Sequence, residues 1–464
     1  MDFDLPDLCR DVETFSTALF AGCTPQRRTR GHLGVCVRAR LHEGQRKTHR
    51  PAGIRLAADE ADADGLRQRI NRAHLSKWSD GMVRGRLTSI ALATIPAPVA
   101  LIIDDTGFLK KGDKSPGVHR QYTGTAGKVT NCQVIVSTHL ASHDASVPLE
   151  MDVYLPTAWT EAPERRSAAW IPEEVGFKTK GDIALEQLDR VIERGVPDLV
   201  ALADAGYGDK GEWRDALRTR GLDYIVGVSG GMKVWRAGEG PDRLPVPSGR
   251  GRPKTRRFPG EFSPVEITAL AAELGDDQWH DVDLRPETPG ERVSRFAAVR
   301  VRTAHRAAAG KEPGPEEWLI IEWPSTDAKP SHYFLSSLTE STELDELART
   351  AKLRWRVERD YQDAKQRVGL AHYEGRRWPG LNHHLTICMA AMTYLVASRR
   401  LSPPQASADT RGGRPPAPNS PHRPARTLSA LQTIEIPAAP ATAQRRPQTQ
   451  SSPAKTGEDC GVIK

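Results

Sequence analysis

The stretch PVALIIDD at residues 98–105 joins a short apolar run to two carboxylates. A proline and a Thr-Gly turn signal bound the run, which is typical of a buried strand. Two more strand-like runs follow at 131–142 (NCQVIVSTHLAS) and 146–155 (SVPLEMDVYL), joined by the polar residues His143 and Asp144. Turn residues between two such runs favour an antiparallel hairpin. The sequence therefore predicts three consecutive strands.

Helix and strand signals alternate after this hairpin. Residues 182–194 (DIALEQLDRVIER) have helical periodicity, with an aspartate as candidate N-cap and a glycine after the last turn. The apolar run 199–203 then leads into Asp204, and a helical segment at 210–220 precedes a strand at 223–228. The resulting order is βββαβαβ, which places the chain in the α/β class.

The pattern changes at residue 229. From 229 to 338, loops rich in glycine and proline separate strand-like runs, and we expect a β-rich insertion there. The runs lie at 296–303, 318–323 and 333–338. A long helix is predicted from 342 to about 368, beginning with a capping-box-like T-x-x-D, and a second apolar helix at 381–399.

The two ends of the chain differ in composition from this central part. Residues 25–50 contain eight Lys or Arg against one acid, Glu43, with little apolar periodicity, which predicts a basic arm within a basic N-terminal region, 1–82. Residues 401–464 contain eleven prolines and no Phe, Trp or Tyr, which predicts a disordered tail. The whole chain of 464 residues carries 66 Lys or Arg and 59 Asp or Glu, a net charge of +7 that favours a polyanionic partner.

The sequence also bears on location. The uncharged stretch at 89–103 contains two prolines and is followed by Asp104, so it is too short and too broken to span a bilayer. The first residues, MDFDLPDLCRDVE, are acidic where a signal peptide is basic. We expect a cytoplasmic protein without a membrane partner.

Asp105 and Asp204 stand at the ends of apolar strands, where water reaches the carboxyl edge of a sheet. Both are candidate metal ligands. Taken singly, an aspartate after a strand is often a turn or N-cap residue, and this alternative stays open. Because successive strand residues face opposite sides, we expect only one of Asp104 and Asp105 to point into the site, and we prefer Asp105.

A third carboxylate lies in the segment KLRWRVERDYQDAKQRVG at 352–369. Helical spacing places Arg354, Glu358, Tyr361 and Lys365 on one face. A solvated face with Arg-Glu and Glu-Lys pairs has the same spacing, so spacing alone does not distinguish the two.

The R-x3-E-x6-K pattern of Arg354, Glu358 and Lys365 resembles most of the Y-x2-R-x3-E-x6-K signature of the DDE transposases of bacterial insertion sequences. Ala351 stands where that signature has tyrosine. Other blocks resemble the same family in the same order. They are LIIDDTGFLKKG at 101–112, HRQYTGTAGKVTNCQ at 119–133, LADAGYGD at 202–209 and HYEGRRW at 372–378.

The resemblance implies a ribonuclease H-like fold, in agreement with the βββαβαβ order. Its catalytic core would comprise residues 83–228 and 339–400. Residue by residue, it implies Asp105, Asp204 and Glu358 as the catalytic, metal-binding triad. The stretch between Asp204 and Glu358 leaves room for the β-rich insertion.

The implied cofactor is a pair of Mg²⁺ ions, with Mn²⁺ as a substitute. Mg²⁺ takes oxygen ligands, and two ions about 3.5 to 4 Å apart can clamp the attacking and leaving oxygens of a phosphodiester displacement. Arg354 and Lys365 would meet DNA phosphates. Tyr361 would pack against a DNA sugar or line the core.

A second DNA signal is GRGRPKTRR at 249–257, whose GRGRP core resembles the AT-hook. Arg250 and Arg252 would then enter an A·T-rich minor groove, where the negative potential is strongest. Short strings of Arg, Gly and Pro also occur in ordinary basic loops, and this alternative stays open.

The expected function is a transposase that cleaves DNA at mobile-element ends and joins them to target DNA. Its partners would be DNA and a second copy of the chain in a synaptic complex, within the bacterial nucleoid. The alternative is a catalytically inactive or co-opted DNA-binding protein derived from a transposase. It is motivated by the aperiodic segment 25–79, where the family has a helical DNA-binding region. A ribonuclease H-like nuclease acting on another nucleic acid also stays open.

Overall fold

The computed structural model describes residues 5–23, 27–41, 60–239, 263–284, 293–304, 314–324 and 326–401. The predicted tail beyond residue 401 and the candidate minor-groove residues Arg250 and Arg252 lie outside these described residues.

Within the described residues, twelve strands form one mixed sheet. They are β1 (Ala100–Leu109), β2 (His119–Thr123), β3 (Lys128–Ala141), β4 (Ser146–Val153), β5 (Val200–Ala203), β6 (Tyr224–Gly227), β7 (Lys233–Arg236), β8 (Val265–Glu266), β9 (His280–Asp283), β10 (Val293–Thr303), β11 (Glu317–Glu322) and β12 (His332–Ser336).

Helices precede, interrupt and follow the sheet. They are α1 (Leu5–Leu8), α2 (Val12–Leu19), α3 (Arg27–Leu41), α4 (Glu60–Leu75), α5 (Asp80–Thr94), α6 (Thr157–Thr160), α7 (Pro163–Ala169), α8 (Lys180–Glu193), α9 (Ala205–Gly208), α10 (Gly211–Thr219), α11 (Ile267–Glu273), α12 (Leu344–Lys352), α13 (Trp355–Asp363) and α14 (Trp378–Leu401). A π-helical turn at Ala364–Val368 follows α13. Among the described helices, none combines the length and apolar character needed to cross a membrane.

Strand β1 lies at the centre of the first half of the sheet. It pairs with β3 in antiparallel and with β5 in parallel orientation, and β5 pairs in parallel with β6. Strands β3 and β4 form the predicted antiparallel hairpin. The mixed α/β class predicted from the sequence is confirmed.

The segment 229–338 continues this sheet. Strand β12 pairs in antiparallel orientation with β6, and β11, β10 and β7 follow in order. The strands predicted near 296–303, 318–323 and 333–338 are present as β10, β11 and β12. The segment thus extends the sheet of the first half.

Strand β2 was not predicted. Its sequence HRQYT is polar, and most of its residues are exposed, so it has no apolar run for a pattern to detect. It pairs with β3 across the turn at 124–127 and carries that turn over the end of β1.

The single long helix predicted from 342 to 368 is wrong, because the chain forms α12, α13 and the π-helical turn there. Ala351 and Leu353 are both buried although they lie two residues apart, a spacing that a straight helix cannot place on one face. A tight turn at 353–354 ends α12, and Ala351 and Leu353 both lie in the same apolar layer as Val357 of α13.

The basic arm predicted at residues 25–50 is also corrected. Residues 27–41 form helix α3, in which Leu33, Cys36 and Val37 are buried. These three follow helical i, i+3, i+4 spacing, a signal that the surrounding arginines obscured. They pack with α2, α4, α5 and α14 in one apolar cluster.

Apolar layers cover both faces of the sheet. On one face, Leu101 and Ile103 of β1 pack with Leu188 of α8. On the other face, Ile102 packs with Val357 of α13. The two residues that follow in β1 are Asp104 and Asp105, which continue this alternation.

Candidate active site

A cleft of about 980 Å³ opens beside strand β1, between the β2–β3 turn and helices α8, α9 and α13. Its position follows from strand register. Strands β1 and β5 pair from Ala100↔Val200 to Ile102↔Leu202, and β5 ends at Ala203 whereas β1 continues to Leu109. Beyond residue 103 the β5 side of β1 is open among the described strands, and the cleft fills that gap.

Four carboxylates line the cleft. They belong to Asp104, Asp105, Asp204 and Glu358. The parallel register brings Asp204 next to Asp104, because both follow the last paired residues at the same offset. The three acids predicted as a triad therefore line one cleft. They do so although strands β6 to β12 lie between Asp204 and Glu358 in the sequence.

Asp104 and Asp105 contact different sides of the sheet. Asp104 Oδ2 accepts a hydrogen bond from Arg354 Nη1 at 3.1 Å, and both oxygens of Asp105 accept from Lys180 Nζ at 2.9 Å. Strand alternation predicts these opposite directions. Both acids nevertheless line the cleft, because it surrounds the open edge of β1.

Burial raises the pKa of two of these acids. Burial raises the pKa of Asp104 to about 7, with the cation of Arg354 opposing this shift and the charge of Asp204 adding to it. Burial also raises the pKa of Asp105, against the charge of Lys180. A cationic partner in the cleft would therefore stabilise both acids in their ionised form.

Asp204 stands between β5 and the short helix α9. Its side chain caps that helix, since Oδ1 accepts a hydrogen bond from the backbone N–H of Gly206 at 2.9 Å. The N-cap role that the sequence left open is thus real. The N-cap role is compatible with a role in the site, because the same carboxylate both caps the helix and lines the cleft.

Glu358 lies on α13 and is the most accessible of the four acids. Its side chain is 64% exposed, and Oε1 accepts from Arg354 Nη2 at 3.0 Å. Arg354 thereby bridges Asp104 and Glu358. The shared helical face predicted for Arg354, Glu358, Tyr361 and Lys365 does line the cleft, although α13 begins only after Arg354.

Lys365 and Tyr361 reach different depths. Lys365 Nζ donates to Thr125 Oγ1 of the β2–β3 turn at 3.2 Å, and partial burial lowers its pKa. The Tyr361 ring is buried, and its hydroxyl lies 2.7 Å from Ser137 Oγ. Of the two roles left open for Tyr361, this position favours the core-lining one.

Three cleft residues were missed by sequence reasoning. Lys180, the first residue of α8, and Lys210, just before α10, add positive charge. Tyr207 lines the cleft with a buried hydroxyl that has no hydrogen-bond partner among the described residues. Their sequence positions carry no periodic signal, since only the packing of α8 against β3 and β4, and of α9 against β5 and β6, brings them near Asp105.

The donor chemistry of the cleft suits a hard cation. Carboxylate oxygens are the ligands that Mg²⁺ and Mn²⁺ take in proteins. Within the described part of the chain, no three Asp, Glu, His or Cys side chains are close enough together to hold a metal ion as they stand. As the structure stands, Asp105 is paired with Lys180 and Glu358 with Arg354.

The chain belongs to the DDE superfamily endonucleases, whose family model matches residues 19–290. Asp105 and Asp204 fall inside the matched residues, and Glu358 lies beyond them. A curated relative is the "Probable transposase for insertion sequence element IS701" of Microchaete diplosiphon. It is 33% identical over 155 residues, which are 33% of this chain and 38% of the relative, so the match spans well under half of that relative's length.

Proposed function

We propose that the chain is a transposase that cleaves DNA strands at the ends of a mobile element and joins them to target DNA. The observation that carries this proposal is one cleft that holds four carboxylates and four basic side chains. The basic residues are Lys180, Lys210, Arg354 and Lys365. A phosphodiester site needs both kinds of group, because carboxylates bind the cations and basic groups bind the phosphates.

Asp105, Asp204 and Glu358 would hold two Mg²⁺ ions, with Mn²⁺ as a substitute, and Asp104 lies beside them. When bound, such ions supply an activated nucleophile and stabilise charge on the departing oxygen. The buried hydroxyl of Tyr207 would remain a hydrogen-bond donor in this site, because burial raises its pKa.

The basic side chains would change partners as DNA enters. Lys180 and Arg354 now neutralise Asp105, Asp104 and Glu358. Lys180 and Arg354 would then leave these carboxylates and meet phosphate oxygens, Arg354 through its planar fork and Lys180 as a point charge. Lys365 already points across the cleft to the β2–β3 turn, where it would contact the DNA backbone.

The fold we propose for the catalytic core is ribonuclease H-like, formed by residues 83–228 and 339–400. Strands β4, β3, β1, β5 and β6 support it, because their antiparallel first three members and parallel last two follow the βββαβαβ order. Strand transfer at two element ends would bring two copies of the chain together, so a synaptic homodimer is part of the proposal.

The rival hypothesis, an inactive DNA-binding derivative, was motivated by the aperiodic segment 25–79. Helices α3 and α4 occupy much of that segment and pack on α14. The reason for considering an inactive derivative is therefore weaker, and the carboxylate cleft favours a catalytic protein.

A strand-cleavage assay tests the proposal. Duplex DNA carrying the sequences that flank the gene is incubated with the full chain and Mg²⁺, and cut strands are resolved on a denaturing gel. We expect cleavage by the unmutated chain and none by Asp105→Ala, Asp204→Ala or Glu358→Ala, because each substitution removes one oxygen donor of the site.

The matched control is Asp189→Ala. Asp189 pairs with Arg220 on the surface, outside the cleft, so its loss should leave cleavage unchanged. Absence of cleavage by the unmutated chain, with DNA binding retained, would contradict the proposal and favour the inactive derivative.

A further inference from the structure

Trp170 has an unusual backbone conformation. It ends helix α7 with φ 58° and ψ 40°, and it is the non-glycine residue with positive φ in the described part of the chain. Glycine is the usual residue at this left-handed position after a helix. The side chain is also 53% exposed. A strained backbone under an exposed tryptophan needs a reason, and such strain is concentrated at functional sites.

A cation covers one part of this indole. The guanidinium carbon of Arg377 lies 3.4 Å from the centre of the Trp170 ring. Arg377 belongs to the HYEGRRW segment between the π-helical turn and α14, so the stack joins two distant parts of the chain. More than half of the Trp170 surface still faces solvent, which leaves room for a second flat group.

The pair borders a groove of about 840 Å³, separate from the carboxylate cleft and sharing no lining residue with it. Trp78 and Trp378 also line this groove, and Lys77 adds a positive charge. Its walls are therefore aromatic and basic.

The acids of the groove already have cationic or histidine partners. Glu150 and Asp152 pair with Arg84 and Arg190. Asp80 lies 2.8 Å from a histidine nitrogen. The acids therefore do not cancel the positive charge of Lys77 and Arg377 at the mouth of the groove.

We propose that Trp170 and Arg377 form a binding site for an unpaired nucleobase of DNA. The base would stack on the indole, and Arg377 would contact the neighbouring phosphate. Every base offers a flat π face, and aromatic side chains beside cations are the usual means of binding single-stranded nucleic acid. The inference rests on the proposed function only in that DNA is the partner, since the groove lies apart from the triad.

The test uses the full chain and a forked DNA that carries 2-aminopurine at its first unpaired position. EDTA is present, so that no strand is cut. Stacking quenches 2-aminopurine, and fluorescence anisotropy of a second dye gives the affinity. We expect quenching by the unmutated chain and by Trp170→Phe, which keeps a flat ring.

Trp170→Gly is the decisive variant. Glycine adopts φ 58° without steric cost, so the thermal midpoint should not fall although the ring is gone. Quenching should disappear, and affinity for the fork should drop about tenfold, in the range for losing one base stack. Affinity for a fully paired duplex of equal length should change less than twofold.

Two results would overturn the inference. Equal fork binding and equal quenching by the Trp170→Gly variant would show that the indole does not bind bases and that the exposed ring serves another purpose, such as a protein contact. An equal loss on fork and duplex would show a general effect on DNA binding. Cleavage by the unmutated chain in Mg²⁺, measured in parallel, separates either result from a failure of the proposed function.

Discussion

At the scale of single residues, the candidate site contains two adjacent acids that face opposite sides of one strand. Asp104 pairs with Arg354, on the face of the sheet that α13 covers. Asp105 pairs with Lys180, on the face that α8 covers. Adjacent strand residues seldom serve one site, because their side chains diverge. Both line the candidate cleft here, because β5 ends one residue before Asp204 and leaves the edge of β1 open.

The two acids should differ in their effect on cleavage. We expect Asp105→Asn to abolish it, because that residue is the proposed ligand. Asp104→Asn should lower it by roughly 10- to 100-fold, as is usual for a residue that supports a ligand through hydrogen bonds. Single-turnover cleavage rates in Mg²⁺ measure the difference, with DNA affinity as the control. The reverse order of effects would move the ligand role to Asp104.

Local sequence patterns predict the candidate acids Asp105 and Asp204, but they do not predict the residues that contact them. Apolar strands that end in carboxylates are a local pattern, so Asp105 and Asp204 could be found from neighbouring residues. Lys180 begins a helix 75 residues after Asp105, and no local pattern relates the two. No local pattern predicts Tyr207 as a cleft residue either, because it reaches the cleft only through the position of α9 in the fold.

At the scale of elements, a buried polar chain fixes helix α13 to the sheet. The Tyr361 hydroxyl lies 2.7 Å from Ser137 Oγ of β3, and Ser137 Oγ lies 2.9 Å from His139 Nε2. His139 Nδ1 in turn lies 2.8 Å from Asp360 Oδ2, back on α13. The chain of contacts closes on the helix that presents Glu358, so it sets where that carboxylate stands.

Tyr361→Phe tests this positioning role. It removes one buried hydrogen bond and should cost about 1 kcal/mol of unfolding free energy, measured by urea denaturation. Cleavage should slow, while DNA affinity stays unchanged because the ring does not reach solvent. Lys365→Gln is the contrasting variant, with weaker DNA binding and little change in stability. Weaker DNA binding by Tyr361→Phe at unchanged stability would instead favour a sugar contact.

The elements themselves were predictable to different degrees. Long apolar strands such as β1, β3 and β4 were found because their core-facing residues dominate the pattern. The sequence does not predict the polar edge strand β2 or the turn at 353–354 between α12 and α13. The first has no apolar run for a pattern to detect, and the second arises from a packing conflict between two apolar stripes.

At the scale of the whole molecule, an ion cluster links strands β11 and β12 to helix α12, which precedes the helix that carries Glu358. Lys352 of α12 donates to both oxygens of Glu322 on β11, at 3.0 and 2.8 Å. His332 of β12 lies 2.9 Å from the same carboxylate. Burial alone would raise the pKa of Glu322, but these two partners outweigh it and lower the pKa to about 2.

The sign of this shift predicts a pH dependence. The folded pKa of about 2 lies below the ordinary 4.5, so the contribution is complete above pH 4.5 and is lost as pH falls towards 2. Glu322→Gln should lower the unfolding free energy by about 2 to 3 kcal/mol at pH 7. Urea denaturation at several pH values measures the difference in unfolding free energy between the unmutated chain and this variant. That difference should become smaller below pH 4.5. A difference independent of pH would show that the carboxylate charge is not the cause.

Attachment of the amino-terminal helices to the sheet depends on one buried arginine. Arg84 of α5 is 5% exposed, and its guanidinium donates to Glu150 and Asp152 of β4 and to Thr386 of α14. Glu150 is fully buried, so its charge is costly without cations around it. The same arginine therefore joins an amino-terminal helix, the sheet and the carboxy-terminal helix.

Arg84→Met should accordingly destabilise the whole fold. Removing one partner of a buried ion pair leaves the other charge uncompensated, at a cost of about 3 to 5 kcal/mol in urea denaturation. Arg67→Met, which breaks an exposed pair with Asp64, should change stability by less than about 1 kcal/mol. A loss in Arg84→Met as small as that of the control would mean that Arg190 and Arg194 suffice to hold Glu150. The apolar contacts of α5 and α14 would then be what attaches the amino-terminal helices to the sheet.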